Sequence, residues 1–138
     1  MSMSRPLKII LIEDDREIAR GLLVRLTAAG HQATSLHDGA SGLSAALVAP
    51  PDVILLDLRL PDMDGYVVLR QLQQHDLTKM VPVIVVSANT AERAKREALL
   101  LGAHSFVEKP YDFRKLMIAV ERACSAQARS PERVTNCL

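Results

Sequence analysis

Five short apolar runs punctuate the chain: Ile9-Ile10-Leu11-Ile12, a weaker Gln32-Ala33-Thr34-Ser35-Leu36, Val53-Ile54-Leu55-Leu56, Val81 to Val86 around Pro82, and Ser105-Phe106-Val107. The strong runs are continuous rather than alternating, which is the pattern of strands buried on both faces. Between the runs, apolar residues recur at helical spacing. Ile18, Leu22 and Leu26 precede Gly30, a residue suited to a left-handed helix end. Asp38-Gly39 opens a second helix that carries through Leu47 and stops at Pro50-Pro51. Asp64 is placed to cap a third helix through Val68 and Leu72. Asn89 with Glu92 predicts a capping box for a fourth that ends at Gly102. Asp112 caps a fifth, with Leu116, Val120 and Ala123 on one face. Strand and helix alternating in this way predict an α/β fold, a doubly wound parallel five-stranded sheet with helices on both faces. The domain takes in residues 1–126. From Gln127 the sequence, which includes Ser130-Pro131-Glu132-Arg133, predicts a flexible C-terminal tail or the start of a linker.

Composition narrows the function classes. The 138 residues correspond to one ordinary domain, and 49% hydrophobic with 24% charged residues is globular usage. A net charge of +1 gives no global bias toward direct contact with nucleic acid or an anionic membrane. Tyr66, Phe106, Tyr111 and Phe113 are the only aromatic residues, too few for a base-stacking platform. Cys124 and Cys137 have neither metal-ligand spacing nor a disulfide framework, and the N-terminus lacks a signal-peptide pattern. These features point to a reducing, cytoplasmic setting. No apolar stretch approaches the ~18 residues of a membrane span.

In an open doubly wound sheet, ligands bind beyond the C-terminal ends of the strands. There the first run ends in Glu13-Asp14-Asp15, the third in Asp57, the fourth in Ser87 and the fifth in Glu108-Lys109-Pro110. Clustered carboxylates repel unless they share a cation. Mg2+ suits them, because it takes about six oxygen ligands and keeps several waters, leaving positions for a phosphate. A metal, a lysine and a hydroxyl around one carboxylate form a phosphoryl-transfer constellation. Taken singly, these residues have plainer uses: Asp14 or Asp15 could cap the first helix, Ser87 could satisfy a loop amide, and Lys-Pro could be a surface turn. Their joint placement at strand ends is what argues for a site.

At these residues the sequence resembles the receiver domain of two-component response regulators. The matching segments are Leu7 to Asp15, Pro51 to Gly65, Pro82 to Ala88, and Gly102-Ala103 followed by Phe106 to Pro110, across roughly Leu7 to Ala123. The resemblance implies a flavodoxin-like (βα)5 sandwich with strand order 2-1-3-4-5. It implies that Asp57 is the phosphoacceptor, taking a phosphoryl group from a sensor histidine kinase or a histidine phosphotransfer protein. Asp14 would ligate Mg2+ directly, Glu13 through water, and Arg59 through its backbone carbonyl. Ser87 and Lys109 would hold the phosphoryl oxygens, and Phe106 would be the switch aromatic that turns inward as Ser87 moves. Lys109-Pro110 matches a bond that is cis in the family, an isomer that costs X-Pro only about 0.5–1 kcal/mol. Arg59 and Asn89 stand where the family tunes phosphate lifetime.

The implied output is a surface made by the fourth helix, fifth strand and fifth helix. A downstream protein, an output domain or a second copy in a homodimer would read it. The chain then acts on itself rather than as a turnover enzyme, and it is a stand-alone receiver or a piece of a longer regulator or hybrid histidine kinase. Three other readings fit less well. A haloacid dehalogenase-type phosphatase needs an acid two residues after its nucleophile, where this chain has Arg59. A phosphorylation-independent degenerate receiver would have lost one of Glu13, Asp14, Asp57, Ser87 or Lys109. A flavodoxin-like cofactor binder needs a phosphate loop where this chain has acids. The charged segment Glu92 to Glu97 reads as a solvated helix face in preference to an ion-paired dimer surface.

Overall fold

The computed structural model describes residues 5–89 and 91–128. Strands and helices alternate along them: β1 (Lys8–Ile12), α1 (Arg16–Ala28), β2 (Gln32–Leu36), α2 (Gly39–Val48), β3 (Val53–Asp57), α3 (Gly65–Gln74), β4 (Val83–Ser87), α4 (Glu92–Leu100), β5 (Ser105–Glu108) and α5 (Phe113–Ala128). The five strands pair in parallel and their order is β2-β1-β3-β4-β5, as expected. The helix α5 extends to Ala128, past the expected start of the tail, and the rest of that segment lies outside the described residues.

Side chains alternate across the sheet and divide the core into two layers. Ile9, Leu11, Val53, Leu55, Ile84 and Val86 face α1 and α5, where they meet Leu22, Leu26, Leu116 and Val120. Ile10, Ile12, Ile54, Leu56, Val83 and Val85 face the other way, against Ala46, Val68, Leu69, Leu72 and Ala98 of α2, α3 and α4. Every residue of β3 and β4 is buried. Full burial of one such aliphatic side chain is worth ~1.5–3 kcal/mol, so these layers are the main source of stability. The edge strand β2 carries the weak run seen in the sequence, and none of its residues is fully buried.

Helix ends follow their local chemistry, with one correction. Asp15, Asp38, Asp64 and Asp112 accept N–H bonds from the first turns of α1, α2, α3 and α5. Gly30 and Gly102, just beyond α1 and α4, have φ of 96° and 108°, where a side chain would be strained. The expected capping box of Asn89 and Glu92 does not form. The N-cap of α4 is Ala91, with no side-chain cap, and Asn89 Oδ1 accepts instead from the Ala91 N–H at 3.0 Å. A short amide side chain readily closes such a local turn before it can reach a helix. Among the described residues, no helix is long and apolar enough to cross a membrane.

Candidate functional site

Parallel pairing places the ends of β1, β3, β4 and β5 on one edge of the sheet, and the acids follow from that placement. Glu13 continues β1 and is 3% exposed; Asp57 ends β3 and is 6% exposed. Asp14 is exposed, and carboxylate oxygens of Glu13, Asp14 and Asp57 all lie within 4.8 Å of one another. Lys109, in the loop after β5, reaches back across the sheet edge. Its Nζ donates to Glu13 Oε1 at 2.6 Å and to Asp57 Oδ2 at 3.1 Å. The remaining oxygens are engaged locally, Glu13 Oε2 by the Asp15 N–H and Asp57 Oδ1 by the Arg59 N–H, both at 3.1 Å.

Two of the three carboxylates, Glu13 and Asp57, therefore share one ammonium group. Burial is the largest influence on Glu13 and pushes its carboxyl up to about 7, against the opposing pull of the Lys109 hydrogen bond. Repulsion by Asp57 adds to the rise but ranks behind burial, so desolvation outweighs the mutual repulsion that clustering alone suggests. Burial also disfavours the charge on Lys109, yet Glu13 and Asp57 more than offset it and hold the ammonium above its ordinary range. An all-oxygen donor set with more negative charge than its lysine can balance fits a hard divalent cation such as Mg2+.

The other candidate residues surround this cluster. Ser87 ends β4, is 2% exposed, and its Oγ accepts from the Asn89 N–H at 3.1 Å. Its carbonyl accepts from the Lys109 N–H at 2.9 Å, tying the hydroxyl-bearing and lysine-bearing loops together. Arg59 follows Asp57 closely and its backbone forms an isolated antiparallel β-bridge with that of Asp64, closing the β3–α3 loop. Phe106 sits on β5, half-buried against the α3 and α4 side of the core. The Lys109-Pro110 bond is cis. Beside Lys109, a cleft of about 530 Å3 opens between α1 and the β5–α5 loop, lined by Ile18, Gly21, Leu22, Ala88, Pro110 and Tyr111.

Residues 9–121 match the response regulator receiver domain family. The chain belongs to that family. This receiver is 39% identical over 124 residues to the transcriptional regulatory protein KdpE of Mycobacterium tuberculosis, covering 90% of the chain and 54% of KdpE. It is 37% identical over 118 residues to the DNA-binding transcriptional regulator NtrC of Escherichia coli, covering 85% of the chain and 25% of NtrC. The chain thus spans about half the length or less of these curated relatives. Among solved structures, a response regulator of Chloroflexus aurantiacus superposes with a TM-score of 0.83 at 27% identity, over 88% of this receiver and 99% of that chain. The receiver domain of a sensor histidine kinase from Pseudomonas aeruginosa, with a magnesium ion coordinated in its active-site cleft, gives 0.81 at 27% identity, over 87% and 98%.

Some contacts around the site were not visible in the sequence. Asp62, the His37 ring and the Tyr66 hydroxyl all bond across elements in this structure. Asp62 sits in a turn-rich stretch where an acid signals only a turn. The reach of a side chain to another loop leaves no periodic trace.

Proposed function

We propose that this receiver accepts a phosphoryl group on Asp57 in a Mg2+-dependent reaction with a phosphohistidine of a sensor kinase or histidine phosphotransfer protein. The observation that carries the reading is a buried carboxylate at a strand end, bonded to Lys109 and crowded by two further acids. Glu13, Asp14, Asp57 and the Arg59 carbonyl would hold the ion. When bound, Mg2+ neutralises charge on the carboxylates and the incoming phosphoryl oxygens.

A carboxylate oxygen of Asp57 attacks the phosphorus in line. The new P–O bond forms as the P–N bond breaks, and the histidine nitrogen keeps the electron pair and then takes up a proton. Lys109 needs only a small shift to exchange part of its bonding from Asp57 and Glu13 to a phosphoryl oxygen. Ser87, whose oxygen already accepts from Asn89, keeps its own proton to donate to another. The apolar cleft beside Lys109 gives the phosphodonor protein a surface next to the acid. Phosphorylation adds charge at Asp57, draws Ser87 and α4 toward it, and lets Phe106 fill the space that is left. The α4-β5-α5 face then changes for an output domain, a downstream partner or a second copy. In this reading the chain works in the cytoplasm and its chemistry is confined to its own Asp57.

The test uses acetyl phosphate and Mg2+ with intact-mass detection. Wild type gains a single phosphate adduct, and EDTA or Asp57→Asn removes it. A stoichiometric adduct on Asp57→Asn, or none on the wild type, refutes the assignment.

A further inference from the structure

The β3–α3 loop is pinched at its base. The backbones of Arg59 and Asp64 form an isolated antiparallel β-bridge, and the Gly65 N–H donates to the Leu58 carbonyl at 2.9 Å. Between these points Leu60, Pro61, Asp62 and Met63 form a tip that reaches the start of α2. There Asp62 Oδ1 accepts from the Gly39 N–H at 2.7 Å and Oδ2 from the Ala40 N–H at 2.9 Å. Met63 lies against the same turn: a Cβ on Gly39 would come within 2.6 Å of its Cγ.

This is not ordinary capping, because α2 already has a cap of its own. Asp38 accepts from the Ser41 N–H at 2.7 Å. The carboxylate of Asp62, more than twenty residues away in sequence, occupies the first two N–H groups instead. These N–H bonds hold its carboxyl below the usual carboxylate range, so the tether stays charged. The same corner is tied in the other direction. His37 Nδ1 lies 3.0 Å from the Glu13 carbonyl oxygen, and because a carbonyl only accepts, the ring donates. The start of α2 thus fastens both acid-bearing loops, the one after β1 and the one after β3, while contributing no ligand itself.

We propose that Asp62 is a positioning residue for the metal site, holding the β3–α3 loop against α2 so that Asp57 and the Arg59 carbonyl keep a fixed spacing from Glu13 and Asp14. Mg2+ demands near-octahedral geometry, and a loop that must first be ordered spends part of the binding free energy on that ordering. The inference rests on the reading that this cluster binds Mg2+.

The experiment compares wild type, Asp62→Ala, Asp62→Asn and Asp38→Ala. Mg2+ affinity is measured by calorimetric titration, and amide hydrogen exchange is followed on the metal-free proteins. Asp62→Ala weakens Mg2+ binding by about tenfold, the scale of lost outer-shell support, and speeds exchange at Arg59. Asp62→Asn, which keeps one accepting oxygen and nearly the same shape, falls between. Asp38→Ala removes a carboxylate from the same helix start and lowers the melting temperature, yet keeps the wild-type Mg2+ affinity. Equal Mg2+ affinity in Asp62→Ala and Asp38→Ala overturns the positioning role while leaving the metal reading intact. No Mg2+ binding by the wild type overturns both.

Discussion

Replacing Lys109 with methionine leaves Glu13 and Asp57 without the one cation that bonds them among the described residues. The lysine side chain is 16% exposed and its partners are 4% and 7% exposed, so water screens the loss only in part. At an effective dielectric constant of about 20, unit charges ~3 Å apart attract by roughly 5 kcal/mol. Desolvation of the ammonium takes back part of this, leaving a net cost of about 3 kcal/mol, the low end for breaking a buried pair. For a domain of this size that is a fall of roughly 12 °C in melting temperature. The cost depends on pH with a definite sign. Glu13 titrates near 7 in the fold against 4.5 unfolded, so the folded state holds the extra proton and stability falls as pH rises through that window. Without Lys109 the carboxyl rises further, so the deficit is smaller at pH 6, where Glu13 is protonated and only the Asp57 contact is lost, and grows toward pH 8 and beyond. Mg2+ replaces the missing charge and recovers most of the loss. Thermal melts by circular dichroism at both pH values, with EDTA or Mg2+, read each part. A deficit at pH 8 no larger than at pH 6, or a Mg2+ rescue no larger than the wild type's, refutes the reasoning.

Three further outcomes follow from the same contacts. Mg2+ affinity rises from pH 6 to pH 8 and then levels, because the proton on Glu13 must leave as the ion enters; calorimetry in buffers of different ionisation enthalpy shows that release. Gly65→Ala places a Cβ 2.5 Å from Leu58 Cα and 2.8 Å from the Asp57 carbonyl oxygen, backbone that cannot swing aside, and it costs about 1–3 kcal/mol by the urea midpoint. Asp15→Ala removes the cap that accepts from Glu17 and Ile18 and costs ~1 kcal/mol, with Mg2+ affinity unchanged because Asp15 stands outside the cluster.

The residues that were legible in the sequence are those whose role follows from position along an element. The continuous runs of β3 and β4 told of burial on both faces, and reading the residue after each run found Glu13, Asp57, Ser87 and the Lys109 loop together. Gly30 and Gly102 marked helix ends because a left-handed φ has few other solutions. Asn89 misled because its side chain can serve a turn or a helix, and only the path of the chain decides between them. Asp62 was invisible as a tether for the same reason, since its partners lie at the start of α2, more than twenty residues away. The rank of burial over repulsion at Glu13 required the actual depth of the side chain, which spacing does not encode.

Asp57 is the last residue of the strand enclosed on both faces, with β1 on one side, β4 on the other and a packed aliphatic layer above and below. It is an anvil: a blow struck at its tip has nowhere to go along the strand. A change at that carboxylate is passed sideways into the loops it bonds, those carrying Arg59 and Lys109. If the proposed phosphoryl group loads and leaves Asp57 repeatedly, the part that receives it and the parts that yield are different pieces of chain.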